Sequence, residues 1–331
     1  MTAEMTERPI VSVASLSKHF PVRGGILSRR VFKAVDEVSF EIRKGETLGL
    51  VGESGSGKST LGRVMIGLAA KTSGSIVIDG HSVGDLKGRG RRSLWRRAQM
   101  VFQDPYSSLN PKMNIRDTLA EPLANFGIAR GPDADALIRK ILDECGLGAR
   151  AMRSYPKEFS GGQRQRIGIA RALILQPKVI IADEPVSALD VSIQAQIINL
   201  FQDLQQALGL TYLFIAHDLA VVRQIADRVA VMYRGRIVEL ASAHDLFARP
   251  RHPYTKLLIR SIPIPDPTAE AARIAGAPVG ETPAAGETTR GCRFSARCPK
   301  ARFPICGEQV PPLAQQASGH LAACHFPETH E

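Results

Sequence analysis

The stretch GESGSGKST, residues 52–60, comes directly after the apolar run TLGLV at 47–51. It fits the pattern G-x-x-x-x-G-K-[ST], in which glycines let backbone N–H groups curl around phosphates and the lysine reaches the β- and γ-phosphates. A helix is predicted to begin near Lys58 and to add positive charge at its N-terminus. It is indicated by apolar residues at spacings of three and four, Leu61, Val64, Met65 and Leu68. A Gly/Ser-rich turn is the alternative, but the strand before and the helix after favour a nucleotide site.

This stretch supplies most of the predicted contacts with ATP. Lys58 would meet the phosphate charge, and the hydroxyl of Ser59 can ligate Mg²⁺. The predicted ATP ligands here are Gly52, Ser54, Gly55, Gly57, Lys58, Ser59 and Thr60.

The amino-acid composition limits the classes of protein to which this chain can belong. The chain has 331 residues, 44% of them hydrophobic, which is enough for one large or two modest domains. It has no apolar run long enough to span a membrane and no apolar leader in MTAEMTERPI, so we expect a cytosolic chain. The net charge of +11 could favour nucleic acid, acidic lipid or an acidic partner. Apart from Trp95, the basic clusters lack aromatics that could stack on bases, which favours a solvated or partner-facing surface.

The order of predicted strands indicates an α/β fold. Alternating segments at 10–16 and 35–42 flank PVRGGILSRR, which predicts an antiparallel β portion with a long exposed loop. Further strands are predicted at 75–79, 99–102, 179–182 and 211–216, with a hairpin at 228–233 and 236–240 that turns at Arg234-Gly235. Strands that alternate with helices favour a mainly parallel sheet.

Two other segments differ in character. Residues 106–155 are rich in helix formers, with Asp133 as a capping residue before ADALIRKILDEC. Residues 261–290, rich in Pro, Ala, Gly and Thr, are typical of a linker or loosely held arm. We therefore predict a P-loop NTPase with a mainly parallel core sheet, an antiparallel β subdomain, a helical subdomain and a small Cys-rich extension. The expected division is a core at 9–105 and 156–250, an insert at 106–155 and an extension at 251–331.

The segment VIIADE, residues 179–184, reads as a buried strand followed by two carboxylates. In P-loop enzymes an Asp at a strand end contacts Mg²⁺, and a neighbouring Glu can activate the attacking water. Asp183 is thus the candidate metal ligand and Glu184 the candidate base. Two surface acids after a strand are the plainer alternative.

Residues 160–163, Ser-Gly-Gly-Gln, begin a predicted helix in EFSGGQRQRIGIARAL. Two glycines behind a Ser160 cap would make a second phosphate-binding N-terminus. An ordinary capped helix with a Gly-rich start is the alternative.

Together these motifs resemble the ATP-binding subunit of ABC transporters over about residues 10–250. The six motifs are GESGSGKST, Gln103, FSGGQ, VIIADE, SALD at 187–190 and His217 in FIAHD. The resemblance implies that Glu184, His217 and Gln103 are catalytic, with Gln103 also at Mg²⁺, and that Asp190 lies in the D-loop. It implies that Ser160, Gly161, Gly162 and Gln163 act on nucleotide held by another ATPase subunit. An aromatic residue stacks on adenine in this family; Phe20 is the first choice here and Phe32 the second, although both could be core residues.

The sequence around the motifs resembles that of the di- and oligopeptide permeases and their nickel-importing relatives. Within this branch it resembles the F-type ATPase subunit. FQDPYSSLNPKM, DEPVSALDVSIQAQIINL and RHPYTKLLIRSIP carry this resemblance. It implies an ATP-hydrolysing subunit that powers import across the bacterial inner membrane, bound peripherally at its cytoplasmic face. The implied partners are a second ABC ATPase subunit, two transmembrane permease subunits and, indirectly, an extracytoplasmic peptide-binding protein. A soluble ABC ATPase acting on nucleic acid or ribosomes is the alternative; the single cassette disfavours it, and no nucleic-acid partner is expected.

Four cysteines near the C-terminus follow the pattern C-x5-C-x7-C-x17-C, namely Cys292, Cys298, Cys306 and Cys324. Four thiols in a cytosolic tail suit a metal site better than disulfides, and both zinc and iron–sulfur clusters accept four thiolates. The zinc pairing C-x₂₋₄-C is missing. The resemblance implies a [4Fe–4S] cluster in some relatives, while zinc and no metal remain open. Cys145 stands apart and is expected to be a buried apolar residue.

Overall fold

The computed structural model describes residues 8–24, 28–84, 88–104, 108–262 and 290–329. Its strands are β1 (Val11–Gly24), β2 (Ser28–Ile42), β3 (Thr47–Val51), β4 (Ser73–Ile78), β5 (His81–Ser82), β6 (Ala98–Val101), β7 (Val179–Asp183), β8 (Thr211–Ile215), β9 (Arg228–Tyr233), β10 (Arg236–Ser242), β11 (Ala314–Ala317) and β12 (His320–Ala322). Its α-helices are α1 (Lys58–Met65), α2 (Arg89–Arg97), α3 (Ile115–Asn125), α4 (Gly131–Glu144), α5 (Gly161–Leu173), α6 (Val191–Leu208), α7 (Leu219–Ile225), α8 (Ala243–Ala248), α9 (Pro253–Arg260) and α10 (Ile305–Glu308). Short 3₁₀ turns lie at Ala149–Arg153, Pro156–Glu158 and Ser295–Arg297.

Within the described residues, the main sheet has eight strands in the order β11-β12-β10-β9-β3-β8-β7-β6. The pairs β9-β3, β3-β8, β8-β7 and β7-β6 are parallel, so five adjacent strands form a parallel core. β3, β7 and β8 are buried at every position, as expected of strands covered on both faces. The predicted hairpin at Arg234-Gly235 is confirmed, since β9 and β10 pair antiparallel across it.

The second sheet is antiparallel, in the order β2-β1-β4-β5. Here one prediction was wrong: the sequence PVRGGILSRR does not form a long loop. β1 and β2 pair from Val11 with Ile42 to Gly24 with Ser28, so all of this stretch outside residues 25–27, which the structure does not describe, belongs to a long hairpin. Glycine and arginine suggested a loop, but the backbone on both sides of residues 25–27 pairs as strands.

The helix after the phosphate-binding loop is shorter than the apolar spacing predicted. α1 begins at Lys58, as expected, but ends at Met65. Gly67 has φ 70°, and Leu68 lies beyond it with half of its surface exposed. The left-handed glycine ends the helix and removes Leu68 from its apolar face.

α3 and α4 stand between β6 and α5 and form the helical part of the chain. Their apolar faces share one core through buried residues such as Leu119, Leu123, Ile138 and Leu142. Asp133 does not cap α4 as predicted. The helix begins at Gly131, three residues before the predicted start at Ala134, with Arg130 in the N-cap position. Proline at the second position favours this earlier start, because its missing N–H has no helical partner to lose.

The extension adds two strands to the edge of the main sheet. β12 pairs with β10, joining Glu239 to Ala322, and β11 pairs with β12. Sequence analysis missed these strands because AQQASGHLAA lacks β-branched residues and strict alternation. Most of the predicted linker, residues 263–289, lies outside the described residues. Among the helices described, none is both long and apolar enough to cross a bilayer.

Candidate nucleotide site

The phosphate-binding loop, residues 52–60, leaves β3 at its carboxyl end and enters α1. Two positions in the loop require glycine, because a Cβ would clash with a neighbouring backbone and because the φ angle is positive. Gly52 has φ 152°, and a Cβ there would lie 2.1 Å from the carbonyl oxygen of Met232; Gly57 has φ 107°, and its Cβ would lie 2.0 Å from that of Ala34. Any side chain at either position would push the loop away from its neighbours.

The side chain of Lys58 lies on the inner side of this loop and contacts its backbone. Its Nζ donates hydrogen bonds to the carbonyl oxygens of Gly52, at 2.7 Å, and Glu53, at 3.0 Å, and the residue is 4% exposed. Burial lowers the pKa of Lys58, while Glu184, Asp183 and Glu53 oppose this effect. A desolvated ammonium group held by two neutral carbonyls is suited to exchange them for phosphate oxygens.

The loop also contains a buried polar atom without a partner. Ser56 is 4% exposed, and its Oγ makes no hydrogen bond within the described residues. Buried polar atoms without partners are uncommon, and they often mark a place where a ligand or water belongs. This observation fits a loop built around a polar ligand.

Ser59 and Asp183 meet at the predicted Mg²⁺ position. Ser59 Oγ donates to Asp183 Oδ1 at 2.7 Å, and Asp183 is 1% exposed at the end of β7. Burial raises the pKa of Asp183, while the hydrogen bond from Ser59 lowers it. Hydroxyl and carboxylate oxygens are ligands that Mg²⁺ accepts, so this pair fits the ion.

The Glu184 carboxylate contacts two side chains that follow the ends of other strands. Gln103 Nε2 donates to Glu184 Oε2 at 2.8 Å, and His217 Nδ1 lies 3.2 Å from the same oxygen. The chain takes φ 46° at Glu184, a conformation that L-residues adopt at a cost and that clusters at functional sites. The structure thus brings together the three residues that the resemblance implies to be catalytic.

The Ser160–Gln163 segment forms the predicted helix start. Gln163 N–H donates to Ser160 Oγ at 3.3 Å, and Ser160 N–H donates to Gln163 Oε1 at 3.0 Å, which makes a capping box. Both side chains face solvent. Gly162 is buried, and a Cβ there would lie 2.4 Å from Ile193 Cγ2, so this glycine allows α5 to pack on α6.

Asp190 has a local structural role at the start of α6. Its Oδ1 accepts from Ile193 N–H at 3.0 Å and from Ser192 Oγ at 2.7 Å, and these hydrogen bonds lower its pKa. It is an N-cap, and its side chain is exposed. Val191, the next residue, is 82% exposed.

Phe20 and Phe32 lie directly opposite each other on the β1-β2 hairpin. They are 39% and 41% exposed, so neither is a core residue. Lys18 Nζ lies 4.7 Å from the centre of the Phe20 ring. Residues opposite each other share a face of the hairpin, so the two rings form one exposed aromatic surface.

The four cysteines of the extension line one enclosed cavity of about 10 Å³, a volume that a single water would fill. Burial raises the pKa of Cys292 and Cys298, and that of Cys324 to about 11, and neighbouring thiols raise each pKa further. In the part of the chain that the structure describes, no group of three or more His, Cys, Asp or Glu is arranged to hold a metal ion. The four cysteines therefore line one cavity without forming a metal-binding arrangement, and the geometry does not support the iron–sulfur prediction. Cys145 is fully buried, as expected.

Sequence analysis missed two residues that contact the phosphate-binding loop from far along the chain. Arg297 Nη1 donates to both carboxylate oxygens of Glu53, at 3.1 and 3.0 Å, and Glu53 N–H donates to the Tyr254 hydroxyl at 2.9 Å. Sequence separations of 244 and 201 residues leave no local pattern that could predict these contacts.

Residues 35–187 match the ABC transporter family, and residues 238–306 match the C-terminal region of the oligopeptide/dipeptide transporter family. The oligopeptide transport ATP-binding protein AppF of Bacillus subtilis (strain 168) is 48% identical over 329 residues, 98% of this chain and 99% of that protein. A putative peptide import ATP-binding protein of Brucella ovis is 51% identical over 320 residues, 97% of this chain and 98% of that protein.

Two solved structures share the fold. The ATP-binding cassette MJ0796, a dimer in a post-hydrolysis state bound to ADP and Pi, has a TM-score of 0.63 at 28% identity, covering 70% of this chain and 98% of that one. The protein cbiO1 of Clostridium perfringens, part of the ABC transporter complex cbiONQ, has a TM-score of 0.63 at 27% identity, covering 73% of this chain and 92% of that one. The predicted fold class is confirmed, and these comparisons give no support to the nucleic-acid alternative. The chain belongs to the ABC transporter family of ATPases, among the oligopeptide transport ATP-binding proteins.

Proposed function

We propose that this chain is the F-type ATP-hydrolysing subunit of an importer of di- or oligopeptides, or of related cargo such as nickel chelates. The observation that carries the proposal is the meeting of Gln103 and His217 on Glu184, beside the buried Lys58 and the Ser59–Asp183 pair. The relatives named for peptide transport support the choice of cargo class.

Each side chain has a chemical task in this proposal. The loop N–H groups and Lys58 bind the phosphates of ATP. Glu184 takes a proton from the attacking water, Gln103 orients that water, and His217 donates a hydrogen bond to the γ-phosphate. Ser59, Asp183 and Gln103 would hold Mg²⁺, which neutralises phosphate charge when bound. Glu184 directly follows β7, and its carboxylate is held by the contacts with Gln103 and His217.

We propose that the nucleotide site is completed by a second ATPase subunit. Ser160 and Gln163 present a capped helix N-terminus to solvent, and such an end favours phosphate. Asp190, with the exposed Val191 beside it, would lie at the same interface. Phe20 would stack on adenine. The dimeric form of MJ0796 supports this arrangement.

We further propose that two membrane permease subunits dock beside Gln103, with an extracytoplasmic binding protein delivering cargo to them. A cleft of about 260 Å³ lies between the helical part and the core, lined by Trp95, Phe102 and Phe126 among others. It is suited to a short helix from a permease, whose movement Gln103 would sense. The chain would then lie at the cytoplasmic face of the inner membrane.

The proposed division of the chain follows from these roles. Residues 9–105 and 156–250 form the ATPase core, 106–155 the helical subdomain, and 251–331 the extension. Within the described residues, every regular element between β6 and α5 is helical, namely α3, α4 and the 3₁₀ turns at Ala149–Arg153 and Pro156–Glu158, which supports a helical insert before α5. Residues 105–107 are not described, so the first boundary rests on the sequence.

Replacing Glu184 by Gln tests the proposed base. We expect ATP turnover in the assembled transporter to fall at least about 100-fold, the usual effect of losing a general base. Binding of ATP should persist, because the amide keeps the shape of the carboxylate. Asp203→Asn makes the same chemical change at an exposed carboxylate on α6 and is the matched control. Turnover within a few-fold of the unaltered chain would refute the assignment.

Copurification from membranes tests the proposed partners. Two multi-span proteins and a second ATPase are expected, whereas ribosomes or nucleic acid would contradict the transport role.

We propose that Cys292, Cys298, Cys306 and Cys324 hold a metal centre, with [4Fe–4S] as the first choice and zinc as the second. The convergence of four thiols on one cavity supports this proposal, and binding would require the cavity to open and the thiols to lose their protons. Anaerobic purification followed by iron, sulfide and zinc assays decides between them. Zinc without iron would exclude the cluster, and neither metal would exclude both.

A further inference from the structure

Glu53 places a carboxylate in the phosphate-binding loop, where ATP would bring several negative charges. Its charge acts on this site: burial lowers the pKa of Lys58, and Glu53 is among the groups that oppose that shift. An uncompensated carboxylate at this position would repel nucleotide phosphates and weaken the attraction of Lys58 for them. The site therefore needs a cation that pairs with Glu53.

Arg297 of the extension supplies that cation. Its Nη1 donates to both oxygens of Glu53 and its Nη2 donates to Oε1 at 3.1 Å, so the guanidinium covers the whole carboxylate. The Arg297 side chain is 12% exposed, compared with 33% for Glu53. A shielded, multiply bonded pair of this kind holds a fixed geometry better than a solvated surface pair.

The surroundings of Arg297 fix its position. Its guanidinium carbon lies 5.8 Å from the centre of the Phe294 ring. Phe294 in turn packs 5.4 Å from both Tyr233 and Tyr254, and the Tyr254 hydroxyl accepts the N–H of Glu53. The backbone N–H of Glu53 is thus bonded to this buried aromatic cluster directly, and its carboxylate is connected to the cluster through Arg297.

A second arginine of the same segment contacts the loop indirectly, through the turn at Arg234-Gly235. Arg293 donates hydrogen bonds to the carbonyl of Arg234 and to the carboxylate of Asp36. Next to Arg234, Gly235 N–H donates to the carbonyl of Ser56 in the loop at 2.8 Å, and its own carbonyl accepts from Asp36 N–H at 2.8 Å. Arg293 therefore stabilises the turn between β9 and β10, which is hydrogen-bonded to the loop.

We propose that Arg297 is a positioning residue for ATP binding: it neutralises Glu53 and fixes the phosphate-binding loop, so that the extension sets the affinity of the site for ATP. This inference rests on the proposed nucleotide site. Arg293 acts on the same loop through the turn between β9 and β10.

The test is the equilibrium binding of a fluorescent ATP analogue to the purified full chain. Arg297→Ala should weaken binding about tenfold, which corresponds to about 1.4 kcal/mol. Arg302→Ala is the matched control, because Arg302 belongs to the same extension and lies on Phe326 instead of the loop. It should leave the affinity within about twofold. Failure of the unaltered chain to bind the analogue would count against the nucleotide site itself.

A second substitution, at Glu53, separates the effect of losing the Arg297 charge from the effect of losing its packing. When Arg297→Ala is combined with Glu53→Gln, the unpaired charge disappears, so at least half of the lost affinity, on a logarithmic scale, should return. In the assembled ATPase, Arg297→Ala should raise KM and leave kcat within about twofold. Unchanged affinity in Arg297→Ala, or no recovery in the double variant, would overturn the proposal. If Arg297→Ala does not fold, Arg297→Lys against Arg297→Met replaces it: lysine must retain more affinity than methionine.

Discussion

His252 is a buried histidine that should make this protein sensitive to mild acid. It is 1% exposed and forms the N-cap of α9, where its Nδ1 accepts the N–H of Tyr254 at 3.1 Å. Its backbone N–H donates to Glu239 at 2.8 Å, and its ring bonds to the backbone of Ala323 in the extension. Burial lowers the pKa of His252 from 6.5 to about 4, although Glu239 and Ala323 oppose the shift.

The size and sign of the effect follow from this shift. Between pH 6.5 and about 4 the unfolded chain carries a proton on His252 that the folded chain lacks. Stability is therefore fully present above the unfolded pKa and falls as the pH drops towards the folded pKa. With about 1.4 kcal/mol for each pKa unit, the loss is about 2 kcal/mol between pH 7 and pH 5, and about 3 kcal/mol once the pH is below 4.

His252→Asn removes this titration and keeps the cap, because the Asn side-chain oxygen can accept the same N–H. Urea unfolding of the full chain at about pH 7 and about pH 5 measures the difference. The unaltered chain should lose about 2 kcal/mol more than His252→Asn on acidification. His244→Asn, at an exposed histidine on α8, is the matched control and should behave like the unaltered chain. Equal losses in the unaltered chain and His252→Asn would refute the reasoning.

Three further outcomes are expected at the nucleotide site. Gly52→Ala should abolish ATP binding, because its Cβ would lie 2.1 Å from a backbone carbonyl; binding within about twofold of the unaltered chain would contradict this. Ser59→Ala should lower Mg²⁺-dependent ATP turnover at least about tenfold while Ser59→Thr retains it, and equal turnover in the two variants would exclude Ser59 as a ligand. Phe20→Ala should weaken ATP binding about fivefold or more if its ring stacks on adenine. A larger effect from Phe32→Ala would move that role to the opposite strand.

Short motifs predicted the centre of the molecule well. The phosphate-binding loop, the strand before Glu184 and the capped helix at Ser160 each depend on about ten consecutive residues, so their structure can be read from local sequence. The resemblance implied that Glu184 and His217 act at one site, and they lie 3.2 Å apart because the parallel strands before them end at the same edge of the sheet.

Local composition was misleading where tertiary pairing decided the structure. PVRGGILSRR has the glycines and arginines of a loop, yet most of it pairs across a hairpin. Residues 314–322 have little strand character, and they pair because the edge of β10 offers them unpaired backbone groups. Asp133 had the right chemistry for a cap, but a neighbouring proline fixed an earlier start for the helix.

The contacts of the extension could not be predicted from sequence, because their partners are separated by most of the chain. Glu53 is an unremarked position within the loop motif until Arg297, 244 residues later, is seen to bind it. The same segment carries Arg293 and is bounded by Cys292 and Cys298, so the residues that line the thiol cavity are covalently adjacent to those that hold the loop. A change at the cysteines that moved the backbone of this segment would therefore reach the phosphate-binding loop through one intervening side chain. The extension thus contacts the loop of the proposed nucleotide site directly and is more than an appendage at the edge of the sheet.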